Sequence, residues 1–309
     1  MRDSIKVFAP ATVANVTCGF DILGFAVDHP GDEITLKKSN SSEVKILEIT
    51  GDEGALPYDP DQNTCSVVIK MFLKDLSIDQ GIDIFLEKKM PLGSGLGSSA
   101  ASSVAAIFAI NELMGKPRKL EDLLPYAMEG ERVACGAAHA DNVAPGLYGG
   151  FVLIRSYDPL DVIRLKTPDK LFATLVHPHI EVKTKDAREI LRKQIYFKES
   201  VKQSGNVAGL VAGLLTSDYD LISRSMHDYI VEPIRSILIP GYSEVKDAAI
   251  GLGALGAGIS GSGPSIFALS KDRVTAEKIG MRMKNIYAEF SIESETYVSR
   301  INQLGPKII

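Results

Sequence analysis

The segment Pro91-Leu92-Gly93-Ser94-Gly95-Leu96-Gly97-Ser98-Ser99-Ala100-Ala101 gathers the residue types that hold a phosphate. Glycines at 93, 95 and 97 let backbone N–H groups converge on an anion with no Cβ atoms in the way. The Ala-rich run that follows predicts a helix, whose positive end then faces the same anion. Ser98 and Ser99 add hydroxyls able to bond phosphate oxygens or to coordinate Mg²⁺. Two commoner phosphate loops are excluded. A Walker A loop needs Gly-Lys-Ser/Thr, and no lysine lies between Met90 and Lys116. A dinucleotide fingerprint needs G-x-G-x-x-G, whereas here the third glycine follows the second by two residues. A second glycine turn, Gly261-Ser262-Gly263, stands between two apolar runs near the C-terminus, and alone it reads as a tight β-turn. His177-Pro178-His179 has His-x-His spacing but no further ligands beside it, so it reads as two turn histidines.

The elements that must position these groups alternate between the two periods. Residues 5–9, 32–38 and 43–49 read as strands, and 81–88 alternates with Ile82, Ile84 and Leu86 on one face. Asn63 or Thr64 can cap a helix burying Val67, Val68, Met71 and Phe72. The helix after the glycine loop is expected to bury a stripe of Val104, Ile107 and Phe108 and to stop at Gly115 and Pro117. Another helix runs from near Glu121 towards Ala134. In the second half 171–176 is a strand, and Thr184 is placed as the cap of a helix carrying Ala187, Ile190 and Leu191. Two more helices follow, one through Val207, Leu210, Val211, Leu214 and Leu215, the other through Leu221, Ile222, Met226, Tyr229 and Ile230. Strand, glycine turn and strand span 257–270, then a helix starts near Thr275 and a strand covers 295–301. Strands and helices in both halves argue for an α+β protein. The turn-rich stretch 156–170 marks the expected boundary between domains 1–166 and 167–309.

The 309 residues are 45% hydrophobic and 24% charged, enough to fill one large core or two ordinary ones. No apolar stretch approaches the roughly 20 residues of a membrane helix, and the N-terminus lacks a secretory h-region. With a net charge of -5 and scattered Lys and Arg, no basic patch offers itself to nucleic acid. Cys18, Cys65 and Cys135 are odd in number and far apart, which argues against disulfides and structural zinc and for a cytoplasmic location.

The string PLGSGLGSSAASS resembles the central ATP-binding motif of the GHMP kinases, Pro-x-x-x-Gly-Leu-Gly-Ser-Ser-Ala. Residues 9–24, APATVANVTCGFDILG, resemble the homoserine-kinase form of that family's first motif, with Thr17-Cys18 where Gly-Pro is more usual. Other branches carry Ala-Pro-Gly-Lys or Pro-Gly-Arg with Gly-Glu-His, and neither occurs here. Residues 256–269 resemble the third motif, 139–150 the His-x-Asp-Asn-x-Ala-Pro segment, and 182–191 and 231–242 further homoserine-kinase patterns. The resemblance implies a ribosomal S5 domain 2-like domain followed by a ferredoxin-like one, with the active site between them. It implies ATP held by 91–101 and by Gly261, Ser262 and Gly263, and Mg²⁺ held by Ser99 and Glu131. The implied acceptor is L-homoserine, a zwitterion. Asp21 beside Asn15 would take its ammonium, Arg188 and Arg235 its carboxylate. Thr184, His139, Asp141 and Asn142 would line its pocket, with Asn142, Arg188 and His139 as the catalytic set. Asn142 would orient the hydroxyl, with no side chain taking its proton. A homodimer is what the family suggests. The alternatives are a GHMP kinase for another alcohol, such as mevalonate, and a nucleotide-binding regulator without turnover.

Overall fold

The computed structural model describes residues 2–309 and, within that span, every side chain but that of Cys135. The first sheet is built from β1 (Ser4–Ala14), β2 (Leu23–Ser39), β3 (Val44–Thr50), β4 (Gly81–Glu87), β5 (Phe151–Tyr157) and β6 (Leu160–Leu165). β2 is its spine. Its first residues pair with β5, its last with β4, and β1 lies antiparallel along its whole length. β3 joins β4 in parallel. β1 and β2 are much longer than 5–9 and 32–38 suggested. From Ala9 onward β1 is buried on both faces, so alternation vanishes from the sequence. A register shift between Pro10 and Thr12 lets the ladder continue past the proline. The β5–β6 hairpin occupies 151–165, a part of the chain whose Asp, Pro and Tyr residues read as turns.

Helices α1 (Thr64–Asp75), α2 (Ser98–Leu113) and α4 (Val143–Tyr148) pack over this sheet, and α3 (Leu124–Cys135) packs on those helices. Asn63 caps α1, its side chain accepting from the Cys65 N–H at 3.0 Å. The expected stripe of α2 is not a stripe. Val104 and Ile107 are buried, but so are Ala100, Ala101, Ala105, Ala106 and Ala109 on other faces, while Phe108 is half-buried. A helix sealed all round needs small residues wherever β1, β2 and its helical neighbours approach it, which is why the run is Ala-rich.

The second half builds β7 (Phe172–Pro178), α5 (Thr184–Glu189), α6 (Phe197–Thr216), α7 (Tyr219–Ser225), α8 (Glu232–Arg235), α9 (Tyr242–Gly251), β8 (Gly256–Ile259), β9 (Ile266–Ser270), α10 (Arg273–Glu289) and β10 (Ser294–Arg300). The sheet order is β10-β7-β9-β8 with every neighbouring pair antiparallel. Counted in chain order that is fourth, first, third, second: a ferredoxin-like βαββαβ sheet in which α5 to α9 fill the first crossover. A final strand, β11 (Lys307–Ile308), returns to pair with β1 of the first sheet. The two sheets share apolar packing, with Phe25 of β2 stacked on Phe151 at 4.6 Å and edge-on to Phe267 of β9 at 5.8 Å.

Four sequence expectations in this half are corrected. Thr184 does not cap α5. Lys183 takes that position, and the Thr184 hydroxyl pairs instead with Ser262 at 3.1 Å. α5 stops at Glu189, leaving Ile190 exposed and only Ala187 buried. α7 ends at Ser225, so Met226, Tyr229 and Ile230 lie beyond it. There the Asp228 carboxylate accepts the N–H groups of Ile230, Val231 and Glu232, which turns the chain into α8. Leu215 of α6 is exposed although it falls on the apolar spacing. Among the described residues, no helix is long and apolar enough to cross a membrane.

Candidate active site

Gly93, Gly95 and Gly97 all have positive φ, between 65° and 78°. Around Gly93 the space is open, Gly97 faces Thr12 and Asn142 of the same half, and Gly95 presses on the opposite half of the molecule. A Cβ on Gly95 would stand 2.5 Å from the Ser260 carbonyl oxygen and 2.7 Å from that of Gly263. The Ser260 hydroxyl donates to the Gly95 carbonyl at 2.6 Å, and the Ser265 N–H to that of Ser94 at 3.2 Å. The two glycine turns singled out in the sequence therefore close on each other. Gly97 is the N-cap of α2, so the loop opens onto the N-terminus of a 16-residue buried helix.

What anchors this loop was missed in the sequence. Asp32 of β2 and Lys88, just before the loop, form a fully buried ion pair. The Lys88 ammonium also donates to the Ser98 carbonyl at 2.8 Å and the Ser102 hydroxyl at 2.7 Å. The other Asp32 oxygen accepts the N–H groups of Lys89 and Met90, so both ends of the loop hang on one pair. The Ser98 hydroxyl also donates to Asp32, at 3.1 Å, while the residue lines the cleft. A buried Asp–Lys pair of this kind leaves one legible signal, a lysine closing a strand of apolar alternation.

Ser99 and Glu131 come together from α2 and α3, with the Ser99 hydroxyl bonded to the Glu131 carboxylate. Burial pushes the Glu131 acid up and outweighs that bond and the nearby Lys88 charge. Glu129, two residues away, is turned outward and pairs with Arg132. A buried carboxylate and a hydroxyl at a helix N-terminus are hard oxygen donors. They fit Mg²⁺, which is usually held by one or two carboxylates together with substrate phosphates.

At the other end of the same cleft lie the charged groups. Arg188 of α5 grips Asp21 with both terminal nitrogens, at 3.0 and 2.9 Å. Arg235 of α8 is buried, donating to the Ala187 and Gly261 carbonyls at 2.9 and 3.1 Å. Both guanidinium groups sit over the Phe20 ring, at 5.4 and 5.0 Å from its centre, a platform that the sequence reading overlooked. Burial and the neighbouring Arg188 charge push Arg235 down to about 10. Asn15 is committed to structure, its amide donating to the Gly261 carbonyl at 2.7 Å and accepting from the Asp21 N–H at 3.0 Å. Asn15, Val16, Thr17 and Asp21 all have left-handed φ, from 40° to 73°. Four strained non-glycine residues in seven positions persist only where the surroundings over-determine them.

Asp141, His139 and Asn142 line the cleft between the two ends. Burial holds the His139 imidazole below its usual pKa. Asp141 is buried, and burial, helped by the charges of Asp21 and Glu131, pushes its carboxyl up to about 7. An acid raised in the folded state binds more protons there than in the unfolded chain, so it erodes stability as pH climbs from about 4 to about 7. Asp141→Asn is therefore expected to raise Tm of the ligand-free protein at pH 7.5 by about 2–4 °C. Its advantage should vanish below pH 4, which thermal melts across that range would register.

One continuous cleft of about 430 Å³ joins the glycine loop, the Ser99–Glu131 pair and the charged groups at the far end. Leu56, Pro57, Gln62, Asn63 and Thr64 line it beyond the glycine loop, with Val133 and Ala134 facing them. The sequence reading saw Asn63 only as a cap. Of the residues singled out, Asn15, Asp21, His139, Asp141, Asn142, Thr184, Arg188, Arg235, Ser99, Glu131 and Gly261 converge on this cleft. Pro91 and Gly263 do not line it, and neither do Leu96, Ala100 and Ala101. The last three are buried in the packing beneath the loop. His177 and His179 remain outside, the former hydrogen-bonded to Ser265 at 3.3 Å.

The comparisons with known proteins agree with this geometry. The family model of the GHMP kinases N terminal domain matches residues 63–150, and that of the GHMP kinases C terminal domain matches 210–289. A homoserine kinase of Chlorobaculum tepidum is 52% identical, the alignment covering 99% of this chain and 98% of that protein. The crystal structure of homoserine kinase from Cytophaga hutchinsonii superposes with a TM-score of 0.98 at 63% identity, covering 100% of this chain and 98% of that one. Mevalonate kinase of L. major, solved with R-mevalonate, shares only the fold, with a TM-score of 0.70 at 16% identity over 97% of this chain and 98% of its own. The chain belongs to the homoserine kinase family of the GHMP kinases.

Proposed function

We propose that the protein transfers the γ-phosphoryl group of ATP to the side-chain hydroxyl of L-homoserine, giving O-phospho-L-homoserine and ADP on the way to threonine. The observation that carries this reading is the pairing of opposite recognition chemistries in one cleft. A glycine loop on a helix N-terminus suits a polyphosphate. Two arginines stacked on Phe20 beside Asp21 suit an amino acid's carboxylate and ammonium. In the resting protein Asp21 and Arg188 satisfy each other. A zwitterionic acceptor exchanges that bond for two, its carboxylate reaching Arg188 and Arg235 and its ammonium reaching Asp21. The ammonium also meets Asp141, whose carboxyl ionises as the positive charge arrives.

The nucleotide's purine lies against Leu56, Pro57 and Asn63, and its phosphates on the backbone of 93–98. Ser99 and Glu131 would hold Mg²⁺, which would neutralise charge on the phosphates. In the transfer, an O–P bond forms between the acceptor oxygen and the γ-phosphorus. The bond from that phosphorus to the β–γ bridging oxygen breaks, and its electron pair leaves with ADP. The hydroxyl proton passes to an oxygen of the transferred group. Such a loose transition state asks for alignment and charge stabilisation more than for a strong base. Two free, buried cysteines, Cys18 and Cys65, support a reducing cytoplasmic setting.

ADP release with MgATP, compared between L-homoserine, mevalonate and no acceptor, tests the assignment. Turnover with L-homoserine alone is expected. Equal turnover with mevalonate, or none with any alcohol, would reject it.

A further inference from the structure

Asn142 occupies the N-cap of α4, a position where an asparagine ordinarily turns its oxygen onto the first N–H groups of its own helix. It makes no such bond. Its Oδ1 instead accepts the hydroxyl proton of Thr12 at 2.8 Å, from a strand 130 residues earlier in the chain. Thr12 is buried, at 1% exposure, and lies behind the cleft wall, whereas Asn142 lines the cleft. The same threonine also holds the phosphate loop, its N–H donating to the Leu96 carbonyl at 3.0 Å. The loop in turn lies against the Thr12–Asn142 bond. A Cβ added to Gly97 would stand 2.1 Å from Thr12 Oγ1 and 3.0 Å from Asn142 Oδ1.

A side-chain amide has one acceptor end and one donor end, and the two cannot both face the same way. With Oδ1 engaged behind the wall, the NH₂ end is what remains for the cleft. We propose that Thr12 is a positioning residue for phosphoryl transfer, fixing the Asn142 amide with its NH₂ group toward the reacting atoms. The inference rests on the reading of Asn142 as the residue that meets the acceptor hydroxyl. It gives that reading a direction. Asn142 donates to the acceptor oxygen or to the moving phosphoryl oxygens and offers no lone pair for the hydroxyl proton. That proton then has no acceptor at this position except the phosphoryl group itself. A valine at 12 would keep the shape and remove the hydroxyl, leaving the amide free to turn over.

Steady-state kinetics on Thr12→Val, Thr12→Ser, Asn142→Asp and Asn142→Ala separate the possibilities. Thr12→Val is expected to lower kcat roughly tenfold, the size of effect that one misplaced hydrogen bond produces, with KM for ATP within about twofold. Thr12→Ser, which restores the hydroxyl, should recover most of that loss. Asn142→Asp keeps the size of the side chain but replaces the donor end with an acceptor, so it should be at least as impaired as Asn142→Ala. Wild-type kcat in Thr12→Val, or equal loss in the serine and valine variants, overturns the role of Thr12. If Thr12→Val folds poorly, Asn142→Asp still decides, since near-normal turnover there would mean that the cleft meets an acceptor. Full activity in Asn142→Ala would remove the underlying reading as well. An inactive Asn142→Ala with a fully active Thr12→Val removes only the positioning role.

Discussion

Lys88→Met is expected to cost about 3–5 kcal/mol of stability and to raise KM for ATP sharply. Removing one member of a buried ion pair leaves its partner charged and unpaired in a low-dielectric interior. Asp32 would be that partner, at 0% side-chain exposure, still bonded to the N–H groups of Lys89 and Met90 but without its counter-charge. The Ser98 carbonyl and Ser102 hydroxyl would both lose the ammonium that ties them to Asp32, loosening the first turn of α2 where the phosphate loop ends. Urea denaturation would read the stability and initial rates the nucleotide affinity. The double variant Lys88→Met/Asp32→Leu separates the two consequences. Replacing a whole buried pair with apolar residues is often neutral, or even stabilising. The double variant should therefore recover most of the lost stability while still binding ATP poorly, because both loop anchors are gone. Recovery of both together would mean that the pair serves packing alone.

Arg235→Ala is expected to raise KM for L-homoserine roughly 100-fold while KM for ATP changes by no more than a few-fold. The guanidinium is committed on three sides, to the Ala187 carbonyl, the Gly261 carbonyl and the Phe20 ring, so its direction is set before any acceptor arrives. Pre-setting that direction removes much of the entropy lost when a flexible side chain is ordered on binding. Arg235→Lys should rescue little, because an ammonium has neither the planar fork nor the reach to satisfy both carbonyls and the ligand. Initial rates over an acceptor series at saturating ATP would decide this. Equal rises in the two KM values would place Arg235 in the general architecture of the cleft.

The chemistry of the site was legible where it rides on local sequence. Glycines at 93, 95 and 97 declare the loop, and the structure adds what Gly95 and Gly97 press against. Glu131 against Glu129 was a harder choice, and burial explains it, since one carboxylate faces Ser99 and the other faces Arg132 and solvent. Long-range partners left little trace, Lys88 showing only as a lysine at the end of an alternating strand. Nothing around Asp32 announces Lys88, 56 residues later, and nothing near Thr12 announces Asn142. Phe20 looks like one more apolar residue until two arginines from the other half of the chain lie on it. The fold shows the same division. β4 leaves one face half-buried and alternates, so its bounds read to within a residue, while β1, buried on both faces from Ala9 onward, gives no period there. α7 was overextended because Met226, Tyr229 and Ile230 keep helical spacing past a turn that the Asp228 carboxylate imposes.

The central claim is that both charges of the acceptor are recognised, at Asp21 on one side and at Arg188 and Arg235 on the other. The direct measurement is kcat/KM for L-homoserine against two analogues that each keep the hydroxyl and lose one charge. 4-Hydroxybutanoate lacks the ammonium, and 3-aminopropan-1-ol lacks the carboxylate. Both should fall at least about 100-fold below L-homoserine, since a site built to pair a polar group rejects a ligand without it. Turnover of either analogue within a few-fold of L-homoserine would contradict the assignment of that side of the pocket.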